Sequence, residues 1–353
     1  MNSEAPKSNI QYLDSLRVLA TLAVILIHVA TPVVNMNFGR NNNFWLIGVV
    51  IDNFVRFAVP LFLVLSGATL LTKQYRLVDF YKKRMSRVLV PFLFWLPAYW
   101  VFRWFMMREW ERPHSFDAIV TWGANLFVKE GVSVHLWFVY MILLLYIFIP
   151  FISKVLKSAS RKSIVAFLVL WLILNQLQLF GVFNLDGFSL FFKKIYGYML
   201  YSGYLVLGYF LHTMQLVKKS GRAIAFILYL STVVIASLLT YYLSIQSGKQ
   251  TLTAMNSFTL NTFVQVIAVY FLFQNIEFKN KYLNLLINTL SNYSFGIYLV
   301  HIMVISLFYR IGIFWTMAHP LISVPVVVLL TLITSFIVIF LLRKIPFMAK
   351  FAG

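Results

Sequence analysis

The sequence predicts an all-α protein, a polytopic membrane helical bundle of about ten transmembrane helices with both termini cytoplasmic. Three observations carry that expectation. Of the 353 residues, 61% are hydrophobic and only 11% charged, against roughly 25% charged in an ordinary soluble domain. Apolar runs near the length of a membrane span recur along the whole chain, longer than barrel strands of about ten residues, so helices are the way left to satisfy backbone groups in lipid. The basic residues also alternate: with the N-terminus inside, 20 of 30 Lys and Arg but only 4 of 10 acids (Glu4, Asp14, Asp79 and Glu277) fall on the inner side, a net +16 against +4 for the rest. The formal charge of +20 is thus a topology signal, and no nucleic-acid partner is expected from it.

The spans read, in order, as 13–35, 44–72, 88–107, 136–152, 164–183, 196–217, 223–245, 256–276, 292–312 and 321–342. No Pro-rich, Gly/Ser-rich or charged linker divides them, so residues 1–353 are expected to form a single integral-membrane domain. The first span lacks the small-residue cleavage site of a secretory signal and is expected to stay attached.

Span one confines its polar residues to a stripe. At about 100° per residue, Thr21, His28, Arg17 and Asn35 fall within roughly 60° of Asp14, while Leu16, Val18, Leu19 and residues 22–27 are apolar. Such a stripe should line a cavity or an internal seam. Asp14 and His28 are about 21 Å apart along the helix, so Asp14 cannot orient His28 as a triad acid would, and its nearer partner is Arg17. Within span two, Asp52 and Arg56 form an i, i+4 pair, with Arg56 near mid-depth. A buried ion pair joining helices is the plain account, and lining a substrate cavity is the alternative.

The inner loop before span three, YRLVDFYKKRMSRVLVP, gathers Arg76, Lys82, Lys83, Arg84 and Arg87. Arg84 and Arg87, three apart, share a helix face and can grip one polyphosphate, with a positive-inside anchor as the plain alternative. The outer segment from Arg108 to Val134 reads as a loop with a short interfacial helix, and His135 opens span four at the outer interface. The stretch EFKNKYLNLLINTL is expected to lie along the inner surface. In span nine, Ser294, Tyr298 and His301 share a face. His114, His212 and His319 read as loop or span-end residues. The chain has no cysteine, no H-E-x-x-H and no carboxylate cluster, so no metal is expected.

Five blocks occur in order: YLDSLRVLATLAVILIH, RFAVPLFLVLSGATLL, KKRMSRVLVPFLFW, HLWFVYMILLLYIFIP and YSFGIYLVH. In them the chain resembles the acyltransferase-3 family of integral membrane acyltransferases, and within it the branch of the enterobacterial common antigen O-acetyltransferase. The resemblance implies an acyl-CoA-dependent enzyme of the bacterial cytoplasmic membrane. Its donor would be acetyl-CoA or another acyl-CoA, and its acceptor a hydroxyl of a cell-envelope glycan or similar molecule outside. By the same resemblance His28 matches the catalytic histidine, and Arg17, Arg84 and Arg87 match the inner arginines that hold the donor. Asp14, Thr21, Asp52, Arg56, His135, Tyr298 and His301 are cavity candidates. One departure stands out: many relatives carry a glutamate just after the LW pair of span four, and LWFVYMI has none. A transporter or flippase for a sugar, lipid-linked glycan or small amino acid is the competing class. It finds only Asp52 as a deep carboxylate and gives Arg84 and Arg87 no task.

Overall fold

The computed structural model describes residues 7–126, 132–183, 187–214 and 221–353. Lys218 and Lys219 of an inner loop, Glu4, and residues 127–131 of the outer segment lie outside them. The described residues form helices α1 (Lys7–Asn37), α2 (Asn42–Phe54), α3 (Ala58–Leu70), α4 (Leu77–Phe80), α5 (Ser86–Met106), α6 (Phe116–Asn125), α7 (Trp137–Ser158), α8 (Arg161–Leu179), α9 (Leu190–Leu200), α10 (Ser202–Met214), α11 (Gly221–Ser247), α12 (Leu260–Phe273), α13 (Lys281–Arg310) and α14 (Pro320–Lys344). No strand occurs among the described residues, and nine segments there are long and apolar enough to cross a membrane. The stretch expected as one span over 196–217 is instead divided at Tyr201 between α9 and α10. The carbonyl of Leu200, freed at that division, accepts from the indole of Trp171 at 2.7 Å.

The second span is also divided, and the break falls at its ion pair. Residues 55–57 leave the helix between α2 and α3. Pro60 supplies the reason, because it has no N–H for the carbonyl of Arg56 and its ring would clash with that carbonyl in a continuous helix, whereas the first turn of a new helix tolerates it. In lipid the freed carbonyls need partners. Gln265 of α12 donates to the Asn53 carbonyl at 2.7 Å, and Tyr229 of α11 donates to the Phe54 carbonyl at 2.7 Å. The break is therefore braced from two neighbouring helices.

Helix α1 is the centre of the bundle and packs on α2, α3, α13 and α14. α3 and α10 meet backbone to backbone: a Cβ on Gly67 would run into the Leu205 carbonyl, and one on Gly208 into the Val64 carbonyl. The KKRM sequence entering α5 winds as a π turn over Tyr81–Met85, continuous with α4 and α5. EFKNKYLNLLINTL does not lie along the surface as a separate element. From Lys281 it is the first part of α13, one helix of 30 residues whose N-terminus is capped by Asn280, and the extra length runs on from the span without a break. The short outer helix expected between Arg108 and Val134 is α6. After α14 the chain folds back under the bundle, where Trp95 donates to the Phe351 carbonyl at 3.0 Å and Ala352 is buried against Gly296.

Candidate active site

The inner arginines come together from three helical segments. Arg17 of α1, Arg84 of the π turn and Arg87 of α5 line one cavity of about 190 Å³, with Ser66, Thr69 and Tyr146 among the other walls. Tyr146 sits close enough to all three for their charges to be felt at its hydroxyl. Arg17 and Arg87 also line a second cavity of about 590 Å³, which they share with Arg343, Lys350, Ser291 and Ser294 and which extends to Tyr298. Apart from the backbone and hydroxyl groups, the charged side chains on these walls are all cations. Residues that charge patterning assigns to the inner side thus meet at one end of the bundle.

Arg17 is fixed as well as close. One of its terminal nitrogens lies 2.7 Å from the Asp14 carboxylate and 2.7 Å from the Ser291 hydroxyl, and Ser291 donates to Asp14 at 2.6 Å. The expected Asp14–Arg17 pair is present, and it is stapled to α13. Thr21 is buried and donates its hydroxyl back to the Arg17 carbonyl at 2.9 Å, so it lines neither cavity. Its polarity serves the helix itself.

Beyond Tyr298 the large cavity gives way to a cluster of rings. His28 and His301 have centroids 5.3 Å apart, His301 and His135 5.0 Å, and His135 and Tyr99 5.0 Å. Tyr298 stands 5.3 Å from His135 and 5.6 Å from His301. His28 is half-buried; His135 and His301 are buried. None of the three histidines lines either cavity. The expectation that His135 is an interfacial residue is corrected here. Although it precedes α7, the bend at 133–136 folds it inward, where its ring packs against His301 and its carbonyl accepts from the Tyr298 hydroxyl. Sequence spacing gave no sign of this, because the contact is made across α5, α7 and α13. Tyr99, which donates to the Leu299 carbonyl at 2.8 Å and ties α5 to α13, was likewise not singled out.

Asp52 and Arg56 form the expected pair at 2.6 Å, though across the end of α2 and not along one unbroken helix. Asp52 is buried, and its second carboxylate oxygen and the Arg56 Nε are both buried without a hydrogen-bond partner. Arg56 is close enough to His28 for its charge to be felt there. His212, expected as a span-end residue, is in the last turn of α10 and meets the Tyr12 hydroxyl through Nδ1 at 2.7 Å, while His114 and His319 are exposed.

Arginines at one end, a cavity running from them to Tyr298, and a histidine cluster in ring contact with Tyr298 form an arrangement that can bind an anion at its cationic end. Neither a curated protein nor a solved structure matches the chain. The model of the acyltransferase domain does, over residues 10–343, nearly the whole length. On that match, this multi-pass membrane protein belongs to the acyltransferase-3 family.

Proposed function

We propose that the chain is a transmembrane O-acyltransferase of the bacterial cytoplasmic membrane. It takes an acyl group, acetyl in the first place, from cytoplasmic acyl-CoA and transfers it to a hydroxyl of a cell-envelope glycan or similar acceptor on the outer side. The observation that carries this reading is the convergence of Arg17, Arg84 and Arg87 on one cavity. Guanidiniums hold phosphates in bidentate fashion, and at the membrane surface their charge costs least. Arg17 and His28 lie about 16 Å apart along α1, a distance that an extended pantetheine arm covers. The glycan acceptor rests on the resemblance of the five sequence blocks to the enterobacterial common antigen branch.

In the reaction the acceptor oxygen bonds to the thioester carbonyl carbon and the carbon–sulfur bond breaks. The His28 imidazole removes the hydroxyl proton during attack and returns it to the departing thiolate. Broken helices at mid-membrane are also found in transporters, where unwound carbonyls coordinate ions. Here the freed carbonyls of Asn53 and Phe54 are taken by Gln265 and Tyr229, which favours a bracing role for them over ion coordination.

The test is turnover of radiolabelled acetyl-CoA by the purified protein in vesicles. His28→Ala should lower kcat by about 10²–10⁴-fold with donor binding retained. Full activity in that variant would remove His28 from the base role, and carriage of a solute without any binding of acyl-CoA would replace the enzyme by a transporter.

A further inference from the structure

His301 carries a buried atom with nothing to bond. Its Nδ1 lies 2.6 Å from the Tyr298 carbonyl oxygen. A carbonyl only accepts, so the proton of the neutral ring sits on Nδ1 and the lone pair on Nε2. That Nε2 is buried and has no hydrogen-bond partner, on a residue with 0% exposure. Buried acceptors without partners are uncommon and each asks for an explanation.

The adjacent ring on α1 supplies one. The His28 centroid is 5.3 Å from that of His301, with the two planes tilted by 46°. A linear N–H···N bond of about 2.9 Å places two imidazole centroids at much the same separation. The two rings therefore stand at the separation that such a bond between His28 and His301 Nε2 requires. Among the described residues Asp14 is paired with Arg17 and Asp52 with Arg56, and the residue after the LW pair is Phe138, which has no carboxylate.

We propose that His301 is the positioning residue of His28. Its Nε2 accepts the His28 N–H, fixes the tautomer of that ring, and leaves the other His28 nitrogen as the base. The inference rests on the acyl-transfer reading. The hydroxyl proton passes to His28 as the new carbon–oxygen bond forms, and from His28 to the thiolate as the carbon–sulfur bond breaks. His301 gains and loses no proton over the cycle. In hydrolase triads a carboxylate holds the histidine in this way. A neutral imidazole, itself anchored on a backbone carbonyl, does so here without a second buried charge.

Two substitutions separate this role from packing. His301→Asn keeps an N–H near the Tyr298 carbonyl but has nothing at Nε2, whereas His301→Gln places an amide oxygen near Nε2. With the full chain in vesicles and acetyl-CoA as donor, the Asn variant should lose about 10²-fold in kcat at unchanged donor KM, and the Gln variant should recover about tenfold of that loss. The pairing is overturned if the Asn variant stays within about threefold of the unsubstituted protein, if Gln is as poor as Asn, or if His135→Asn is the one that loses kcat. Should either variant fail to fold, ¹⁵N chemical shifts of histidine in the unsubstituted protein decide: Nδ1–H on His301 is expected, and Nε2–H overturns the assignment. If the unsubstituted protein turns over no acyl-CoA, the acyl-transfer reading falls, and the tautomer measurement still stands or falls by itself.

Discussion

Arg17 and Ser291 are bonded at 2.7 Å, and both contact the Asp14 carboxylate, so the guanidinium that faces the inner cavities is held by residues from two helices. Ser291→Ala removes the only link in this trio that reaches α13. A hydrogen bond to a charged group contributes roughly 1.5–3 kcal/mol, part of which Asp14 retains. The expected outcome is a rise of about fivefold to tenfold in donor KM with kcat unchanged. Steady-state kinetics across acetyl-CoA concentrations reads it, and an unchanged KM would mean that Asp14 alone positions Arg17.

Arg84 and Arg87 share a cavity with Arg17, and no carboxylate lines it. Each single Ala substitution should raise donor KM about tenfold, and the double variant should bind acyl-CoA too weakly for saturation. Isothermal titration with CoA checks the binding directly. High salt should weaken binding by the unsubstituted protein and have less effect on the double variant, because the lost interactions are the screened ones.

How much of this was written in the sequence depends on whether a contact lies along one helix or between several. Helical periodicity alone put Asp14, Arg17 and His28 on one face of span one, and i, i+4 spacing alone paired Asp52 with Arg56. The division of span two had a local signal as well: Pro60, inside a run longer than one crossing needs, marks a break at the carbonyl four residues before it. The inward fold of His135 had none. Its place beside His301 depends on α5, α7 and α13 meeting, and no spacing within HLWFVYM encodes that. Charge patterning assigns Arg343 and Lys350 to the inner side but not to a cavity, and no spacing marks Ser291, because all three reach the cavity only through packing between segments distant in sequence.

Asp52 is buried beside Arg56 at a helix break deep in the bundle. Asp52→Asn leaves a guanidinium that is three-quarters buried without its counter-charge. Removal of one partner of a buried pair costs about 3–5 kcal/mol, so the variant should unfold at a markedly lower temperature in detergent. Asp52→Asn with Arg56→Gln removes both charges and should regain most of the loss. If the single and the double variant unfold at the same temperature, the two residues are not energetically coupled.

The contact of α3 with α10 rests on two glycines, and their positions set a sharper test of packing than any apolar residue does. At Gly67 and Gly208 an added Cβ would meet the carbonyl of Leu205 and of Val64, and backbone cannot swing aside as a side chain does. Accommodation requires the helices to separate, which forfeits close packing along the whole seam. Overpacking of this kind costs about 1–3 kcal/mol at each site. Gly197 in α9 is the control, because nothing lies within 4 Å of a Cβ there, and Ala in place of a helical Gly stabilises by roughly 0.5–1 kcal/mol. Thermal unfolding should therefore fall for Gly208→Ala and Gly67→Ala and hold or rise for Gly197→Ala. Since α3 also carries Ser66 and Thr69 on the wall of the arginine cavity, the first two variants should weaken donor binding as well, and the third should leave it unchanged.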